Sequence, residues 1–267
     1  MILARVITLL TDFGLKDPYV GVMKGVIKRI NPDVEIIDLS HEVPKYDIDT
    51  AALILWVSYR FFPRKTIHVC IVDPGVGTSR KAILIVTRNY YFIGPDNGCL
   101  YPAVKNDGIE EVYDISSSAY GLERVSETFH GRDLFAPIAA YLSAGVPLEQ
   151  LGKRYQGELV KSWIWFAEKD DNCFNARAIY IDGFGNIMTN IHSEFIRDWV
   201  LGSRIKITYS QGVIECPFVK SFGYVREGEY ACYINSWGFL EIGLNRGSAA
   251  METGIVKKEV LRVCKIE

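Results

Sequence analysis

The chain has 267 residues, 49% of them hydrophobic, and a formal net charge of −2 at pH 7. This length allows two domains of ordinary size, and the charge gives no general attraction for a phosphate backbone, so we expect a small-molecule ligand and no nucleic-acid partner. The apolar start is interrupted by Arg5 and is too short for a secretory leader, and no apolar run approaches the roughly 20 residues of a membrane span. We therefore expect a cytoplasmic protein without a membrane partner.

The first part of the chain alternates strand-like and helix-like segments. A strand over residues 5–10 is followed by Asp17 and Pro18, which predict the N-cap and first residue of a helix through residue 30. This alternation predicts an α/β domain with a mostly parallel sheet, over residues 1–159. The further strands are predicted at residues 34–39, 67–72 and 83–87, and the further helices at residues 48–59 and 131–144.

Short strands separated by turn residues dominate the chain after residue 159. They predict a smaller, all-β domain over residues 160–267. These strands are predicted at residues 176–181, 187–191, 204–209, 213–217, 230–234 and 239–243.

The cysteines are widely spaced and include no CxxC pair, which gives a zinc site little support. We expect no metal and buried free thiols, although the spacing leaves a disulfide open. The cysteines are Cys70, Cys99, Cys173, Cys216, Cys232 and Cys264.

Asp12 follows the first predicted strand directly. Ligands of open α/β sheets bind beyond the carboxyl ends of the strands, so this carboxylate is a candidate for accepting both hydroxyls of a ribose. The alternative is an Asp that closes a local turn before Gly14.

Asp73 and Arg80 belong to a Gly- and Pro-containing loop, VDPGVGTSR, that follows another apolar run. Such a loop can fold back and place the guanidinium beside the carboxylate, which would keep Asp73 charged, although surface ion pairs of this kind are common without a function. The chain contains no GxxxxGK[ST] or GxGxxG motif, which argues against ATP and dinucleotide enzymes.

His130 precedes an apolar helix, where the helix dipole disfavours a protonated ring. A neutral imidazole there could accept or relay a proton, or could simply cap the helix. The other histidines, His41, His68 and His192, show no partner pattern and are expected to be structural.

Two loops in the β half, at residues 182–186 and 235–241, carry polar and aromatic residues. The chemistry of hairpin turns accounts for their Gly, Asn and Asp residues without any ligand. From the residues alone, a structural role is therefore favoured for both loops.

Seven motifs in this order resemble the S-adenosyl-L-methionine (SAM) hydroxide adenosyltransferase family, the adenosine-forming SAM hydrolases related to fluorinase and chlorinase. The resemblance spans nearly the whole chain. The motifs are LTDFG at 10–14, DPYVGVMKG at 17–25, VDPGVGTSR at 72–80, GPDNG at 94–98, FHGRDLFAP at 129–137, DGFGNIMTNI at 182–191 and NSWGFLEIGLNRGSAA at 235–250.

The resemblance implies an N-terminal α/β domain, a C-terminal β-barrel-like domain, and a homotrimer that binds substrate between the N-terminal domain of one subunit and the C-terminal domain of its neighbour. It implies hydrolysis of SAM to adenosine and L-methionine by in-line attack of water on the ribose C5′, with SAM as substrate and no cofactor.

The resemblance also assigns roles to residues of this chain. It implies a catalytic set of Asp73, Arg80 and His130, and a ribose contact for Asp12. For the C-terminal side it implies that Asp182 binds the methionine amine, that Asn186 binds the adenine edge, and that Ser236, Glu241, Phe184 and Phe222 contribute further binding contacts.

The resemblance leaves two other functions open. A halogenase would need a pocket for an anion, but this chain has Asp73 where halogenases lack a carboxylate and Gly131 where the fluorinase has a serine. A non-catalytic SAM or adenosine sensor would not need a proton acceptor. Trp237 stands where the fluorinase has an arginine for the methionine carboxylate, so the residue that holds this carboxylate stays open.

Overall fold

The computed structural model describes residues 6–123, 126–162 and 166–266. The chain forms two compact units, Met1–Trp163 and Ile164–Glu267. Within the described ranges, every helix is too short or too polar to cross a lipid bilayer.

The first unit is a sheet covered by helices. In its described part, the strand order is β2-β1-β3-β5-β4-β6-β7. The strands are β1 (Val6–Thr11), β2 (Glu35–Ser40), β3 (Ile67–Ile71), β4 (Ala82–Thr87), β5 (Tyr91–Pro95), β6 (Ile109–Asp114) and β7 (Lys153–Arg154), and the helices are α1 (Tyr19–Ile30), α2 (Ile48–Ser58), α3 (Tyr101–Asp107), α4 (Ala136–Ser143) and α5 (Leu148–Leu151).

The sheet of the first unit is mixed. Strands β2, β1, β3 and β5 run parallel, whereas β4, β6 and β7 join by antiparallel pairing. Thr11 and Ile71 pair at the ends of β1 and β3, so the chain leaves both strands at the same edge. Because ligands bind at such an edge in open α/β sheets, the pairing brings the segments after β1 and β3 into one candidate site.

Both faces of this sheet are buried. Side chains alternate across a strand, so Leu9 joins a core with Met23 of α1, while Leu10 joins a second core with Leu55 of α2. Every residue of β1 is buried, as expected for a central parallel strand. A rigid, fully buried strand therefore carries Asp12 at its end.

The start of α1 differs from the prediction. The helix begins at Tyr19, Pro18 occupies the N-cap position, and no side chain caps the helix. The predicted N-cap role of Asp17 is therefore wrong, because the proline ring fixes the backbone one residue later than expected.

The second unit is an antiparallel sheet that nearly closes into a barrel. The strand order in its described part is β12-β11-β15-β9-β10-β14-β13, with β8 paired to β9. A bridge between Phe218 and Cys232 brings the two outer strands together. The strands are β8 (Glu168–Asp170), β9 (Cys173–Ile181), β10 (Ile187–His192), β11 (Arg204–Tyr209), β12 (Gly212–Pro217), β13 (Tyr230–Ile234), β14 (Phe239–Leu244) and β15 (Val260–Lys265), and helix α6 is Ala249–Thr253.

A disulfide between Cys173 and Cys264 joins strands β9 and β15 of the second unit. These two residues are directly paired in the antiparallel register, although they lie 91 residues apart in the chain. The expectation of free thiols is therefore wrong for this pair. It is confirmed for the buried thiols of Cys70, Cys99, Cys216 and Cys232.

The two units together confirm the predicted fold class, an α/β unit followed by an all-β, barrel-like unit. The prediction of a mostly parallel sheet is corrected to a mixed one, because parallel pairing is limited to the half of the first sheet that carries β1 and β3. That half is also the one whose strand ends supply the candidate site.

Candidate active site

Asp73, Arg80 and His130 form one hydrogen-bonded chain in the first unit. Arg80 Nε donates to Asp73 Oδ1 over 3.0 Å, and its Nη2 donates both to Asp73 Oδ2 and to His130 Nδ1, the latter over 2.9 Å. The Asp73 and Arg80 side chains are 6% and 11% exposed, so water screens this pair far less than a surface pair. The alternative left open by the sequence, an exposed ion pair at the surface, is therefore wrong for Asp73 and Arg80.

The arginine is held on a second side by an aromatic ring. Its guanidinium carbon lies 5.5 Å from the ring centroid of Phe135, which is fully buried. A two-point bond to Asp73 and a ring contact together fix the plane of the guanidinium. Arg80 therefore orients Asp73 and His130 at the same time.

The electrostatics of the site favour a neutral imidazole. Burial and the positive charge of Arg80 lower the pKa of His130 below its usual 6.5, and they outweigh the nearby Asp73, Glu127 and Asp133 carboxylates, which act in the opposite direction. An imidazolium would also face the guanidinium that now donates to it. His130 is therefore predominantly neutral at pH 7.

The loop that carries Asp73 packs against the segment before His130 at a glycine. Gly77 has a φ of 75°, and a Cβ at this position would lie 2.5 Å from the carbonyl oxygen of Glu127. Only glycine allows both this conformation and this close approach. Gly77 therefore helps to bring the segments that carry Asp73 and His130 together.

Asn97, in the GPDNG motif, supports the same loop. Its Nδ2 donates a 2.8 Å hydrogen bond to the carbonyl oxygen of Val72, the residue before Asp73. The motif alone predicted no role for Asn97, because the partner of this side chain is a backbone atom 25 residues away. Asn97 therefore holds the backbone immediately before Asp73.

Asp12 lies at the end of β1 and is buried, with 6% of its surface exposed. Its Oδ2 accepts a 2.9 Å hydrogen bond from the backbone N–H of Tyr46, and its carbonyl oxygen accepts one from Lys45 Nζ. The Gly14 N–H donates instead to the carbonyl of His41. The backbone N–H of Tyr46, 34 residues further along the chain, thus holds the Asp12 carboxylate, and a local turn closed at Gly14 does not.

A cavity of about 360 Å³ brings Asp12, Asp73 and His130 together in the first unit. This volume lies within the ordinary range of small-molecule pockets. The further lining residues are Phe13, Asp17, Tyr19, Lys45, Tyr46, Ile71, Val76, Thr128, Phe129 and Gly131. The sequence predicted no site role for the aromatic residues or for Lys45, because the local sequence around a residue does not show which cavity its side chain will line.

The second unit holds a separate polar cluster around two of the residues named by the resemblance. Asp182 Oδ1 accepts hydrogen bonds from the backbone N–H groups of Phe184 and Asn186, each 2.9 Å, and Asp182 Oδ2 accepts one from Asn186 Nδ2. These bonds match the turn chemistry expected from the sequence. They also hold the amide of Asn186 in one orientation.

Glu241 is the most buried acid of this second cluster, with 8% of its surface exposed. Burial raises the pKa of its carboxyl, while hydrogen bonds from Asn235 Nδ2 (2.7 Å) and from the hydroxyl of Tyr233 (2.9 Å) act against this shift. Neither Tyr233 nor Asn235 was predicted from the sequence as a partner of Glu241. The contact of Tyr233 follows from the antiparallel register, which places it directly opposite Glu241, whereas Asn235 reaches Glu241 from the start of the loop between the two strands.

The remaining residues named by the resemblance lie at the surface of the second unit. Phe184 is 82% exposed and Phe222 is 49% exposed, and the Phe222 ring lies 6.0 Å from that of Tyr233. Ser236 is also exposed, and the neighbouring Trp237 ring lies 5.5 Å from Tyr180. Exposed aromatic rings beside a polar cluster are typical of a binding surface.

Among the described residues, there is no group of three or more His, Cys, Asp or Glu side chains arranged to hold a metal ion. The polar groups of the candidate site are instead bonded to one another, as the Asp73–Arg80–His130 chain illustrates.

The chain is similar in both fold and sequence to known proteins. A solved structure of an uncharacterized conserved protein from Thermotoga maritima matches with a TM-score of 0.91 and 37% identity, covering 97% of this chain and 99% of that one. An (R)-S-adenosyl-L-methionine hydrolase from Methanocaldococcus jannaschii is 37% identical over 249 residues, which is 89% of this chain and 87% of that protein. A fluorinase from Nocardia brasiliensis is more distant, at 28% identity over 92% of each chain.

Family models match both units. The model of the SAM hydroxide adenosyltransferase N-terminal domain matches residues 7–152, and the model of the C-terminal domain matches residues 176–262. Together they cover most of the chain and both polar clusters. The resemblance stated from the motifs is thus confirmed, and the chain belongs to the SAM hydroxide adenosyltransferase family.

Proposed function

We propose that this chain hydrolyses SAM to adenosine and L-methionine by attack of water on the ribose C5′. The observation that carries the proposal is the hydrogen-bonded chain of Asp73, Arg80 and His130, whose two end members, Asp73 and His130, line the same cavity as Asp12. The hydrolase from Methanocaldococcus jannaschii, which is 37% identical to this chain over 249 residues, supports the same reaction.

The proposed step needs little from the enzyme at the leaving group. A sulfonium leaves as a neutral thioether, so no acid has to protonate it. The enzyme must align a water molecule with the C5′–sulfur bond and accept a proton from that water. The oxygen of water forms a bond to C5′ as the C5′–sulfur bond breaks, and both bonding electrons stay on the methionine sulfur.

The hydrogen bonds favour Asp73 as the proton acceptor. A guanidinium only donates hydrogen bonds, so Nδ1 of His130 must be the acceptor in its contact with Arg80. In the neutral ring the proton then lies on Nε2, which can donate to the oxygen of the attacking water but cannot take its proton. We therefore assign proton acceptance to Asp73, orientation of Asp73 to Arg80, and orientation of water to His130.

The other residues named by the resemblance fit substrate binding. We propose that Asp12 accepts hydrogen bonds from the ribose hydroxyls. In the second unit, we propose that Asn186 contacts the adenine edge, that Asp182 binds the methionine amine and that Phe184 packs on the nucleoside. Phe222, Ser236 and Glu241 complete this set of proposed substrate contacts.

A chloride- or fluoride-using reaction is less consistent with the site. The carboxylate of Asp73 would repel a halide, and Arg80, the cation that could attract one, already donates its hydrogen bonds to Asp73 and His130. The fluorinase relative is also more distant than the hydrolases. Water is therefore the favoured nucleophile.

Product analysis tests the proposed reaction. The hydrolase relatives are named for the R form of the substrate, so the purified protein should be incubated separately with the R and S epimers at sulfur. We expect adenosine and L-methionine in equal amounts, with the R epimer preferred. Asp73→Asn is the matched control, and loss of product by about a hundredfold or more is expected for it. Formation of 5′-chloro-5′-deoxyadenosine as the main product in chloride buffer would contradict the proposal.

We further propose that the active unit is a homotrimer in which the second unit of a neighbouring subunit completes the site. The first unit carries the groups for ribose and water, and the second carries those proposed for adenine and methionine. Head-to-tail contact between unlike surfaces closes into a ring, and three copies give C3 symmetry.

Subunit mixing tests this assembly. Asp73→Asn chains and Asn186→Ala chains should each be impaired, and exchange between them should restore part of the activity. One interface in the mixed ring then combines an intact Asp73 with an intact Asn186. An active monomer in sedimentation, or no recovery after demonstrated exchange, would contradict the shared site.

A further inference from the structure

Three aromatic rings form one wall of the cavity. The ring centroids of Tyr19 and Phe129 are 5.0 Å apart, those of Phe13 and Tyr19 are 5.8 Å apart, and those of Phe13 and Phe129 are 5.9 Å apart. The planes meet at 57° to 79°, so the rings form a corner and not a stack. All three residues line the same cavity as Asp73 and His130.

We propose that Phe13, Tyr19 and Phe129 form a binding site for the alkylated sulfonium cation of the substrate. This inference rests on the proposed function, because it takes SAM as the ligand. Aromatic faces attract alkylated cations within about 6 Å of the ring centroid. The three rings pack directly against one another, so a cation would contact them from the cavity side. The wall thus offers the sulfonium a surface that replaces its water contacts.

The position of the wall agrees with this role. Gly131 follows His130, and a Cβ on it would lie 3.1 Å from the Phe129 ring and 3.4 Å from the Phe13 ring. The absence of a side chain at residue 131 thus lets both rings approach the backbone beside His130. A sulfonium at the wall would have its C5′ bond next to the proposed water site.

The rings add a selectivity that the nearby charges do not supply. Asp12 and Asp17 also line the cavity and would attract any cation, whether alkylated or hydrated. Aromatic faces favour a weakly hydrated, alkylated cation over a hydrated one, and like the carboxylates they favour a cation over a neutral sulfur. Both thioethers, the methionine product and the demethylated substrate analogue, have a neutral sulfur. The wall should therefore hold the substrate more tightly than either thioether.

One of the three rings already contacts a cation within the chain. The guanidinium carbon of Arg132 lies 5.2 Å from the Phe129 ring centroid, and Arg132 is itself paired with the buried Asp133. Substitution of Phe129 would therefore disturb this pair as well. Tyr19 is the better test residue, since its side chain is 45% exposed and its removal leaves the core intact.

The experiment measures binding of two ligands by calorimetry, in an Asp73→Asn background that prevents turnover. The ligands are SAM and its demethylated thioether, S-adenosyl-L-homocysteine. Tyr19→Leu keeps an apolar side chain but removes the ring, and we expect it to weaken SAM binding about tenfold while thioether binding changes less than about twofold. Tyr19→Phe keeps the ring and should keep the SAM preference. Phe61→Leu removes an exposed ring that does not line the cavity and should change neither affinity.

Equal weakening of both ligands in Tyr19→Leu would overturn the inference, because it would reduce the ring to apolar packing. Unchanged SAM affinity would overturn it as well. Failure of the proposed function gives a different result: the unsubstituted protein would then form no adenosine from SAM, while the SAM preference and its loss in Tyr19→Leu would persist. Circular dichroism of each variant confirms that it is folded.

Discussion

The side-chain amide of Asn97 donates a 2.8 Å hydrogen bond to the carbonyl oxygen of Val72, one residue before Asp73. We predict that Asn97→Ala lowers kcat about tenfold and changes KM less than twofold, because it loosens the proton acceptor without touching the nucleoside. Asn31→Ala is the matched control, since Asn31 makes a hydrogen bond of similar length to Ser143 elsewhere in the same unit. A rise in KM at unchanged kcat would show that Asn97 acts in binding instead.

The second prediction separates the two possible roles of His130. If its Nε2–H orients water, then His130→Gln, whose amide can also donate, should keep more activity than His130→Ala. We expect kcat to fall roughly tenfold in the Gln variant and about a hundredfold or more in the Ala variant. Equal loss in both variants would indicate that the imidazole itself takes the proton.

The third prediction concerns the pKa of His130. Burial and Arg80 lower it, so protonation of the ring and loss of the Arg80 contact should occur only below pH 6.5. Activity that depends on the neutral ring is then retained at pH 7 and lost as the pH falls through the lowered pKa. An NMR titration of the His130 ring measures this value directly, and a pKa at or above 6.5 would contradict the electrostatic account.

The fourth prediction concerns stability, through a histidine outside the site. His68 is fully buried, its Nδ1 contacts Thr8 Oγ1 at 2.8 Å, and burial lowers its pKa to about 3. His68 stays neutral in the folded protein down to about pH 3, but in the unfolded chain it binds a proton below about pH 6.5. The free energy of unfolding is therefore highest above pH 6.5 and decreases as the pH falls from 6.5 towards 3. The loss should approach about 1.4 kcal/mol per pH unit in that window.

Denaturant unfolding between pH 7 and pH 4 tests this linkage. His68→Gln should flatten the dependence of the unfolding free energy on pH, whereas His192→Gln, which keeps His68, should leave it unchanged. A pH dependence that is the same in His68→Gln as in the original chain would show that other groups cause the acid destabilisation.

Much of the site could be predicted from sequence because its parts are local. Asp12 directly follows a strand whose apolar sequence predicts burial. Asp73 and Arg80 lie in one short loop, and Gly77 allows this loop to pack closely against the backbone of Glu127. The order of the motifs then related these segments to His130. The structure adds the parallel pairing of β1 and β3 that places the first two segments at one edge of the sheet.

The parts that sequence reasoning missed depend on contacts between distant residues. Asn97 donates to a backbone carbonyl, and the Tyr19 ring packs against rings from two other segments. Cys173 lies opposite Cys264 only because of the antiparallel register. Strand β5 was also missed, because it is almost entirely buried and has no alternation of apolar and polar residues. No local pattern encodes such contacts.

The central claim is that water, aligned by Asp73 and His130, attacks C5′ of SAM. Hydrolysis in ¹⁸O-labelled water, followed by mass spectrometry of the adenosine, tests it most directly. The account predicts one ¹⁸O atom per adenosine, located at the 5′ position, and an unlabelled methionine. Adenosine without the label at C5′, or label in the methionine, would contradict attack of water at that carbon.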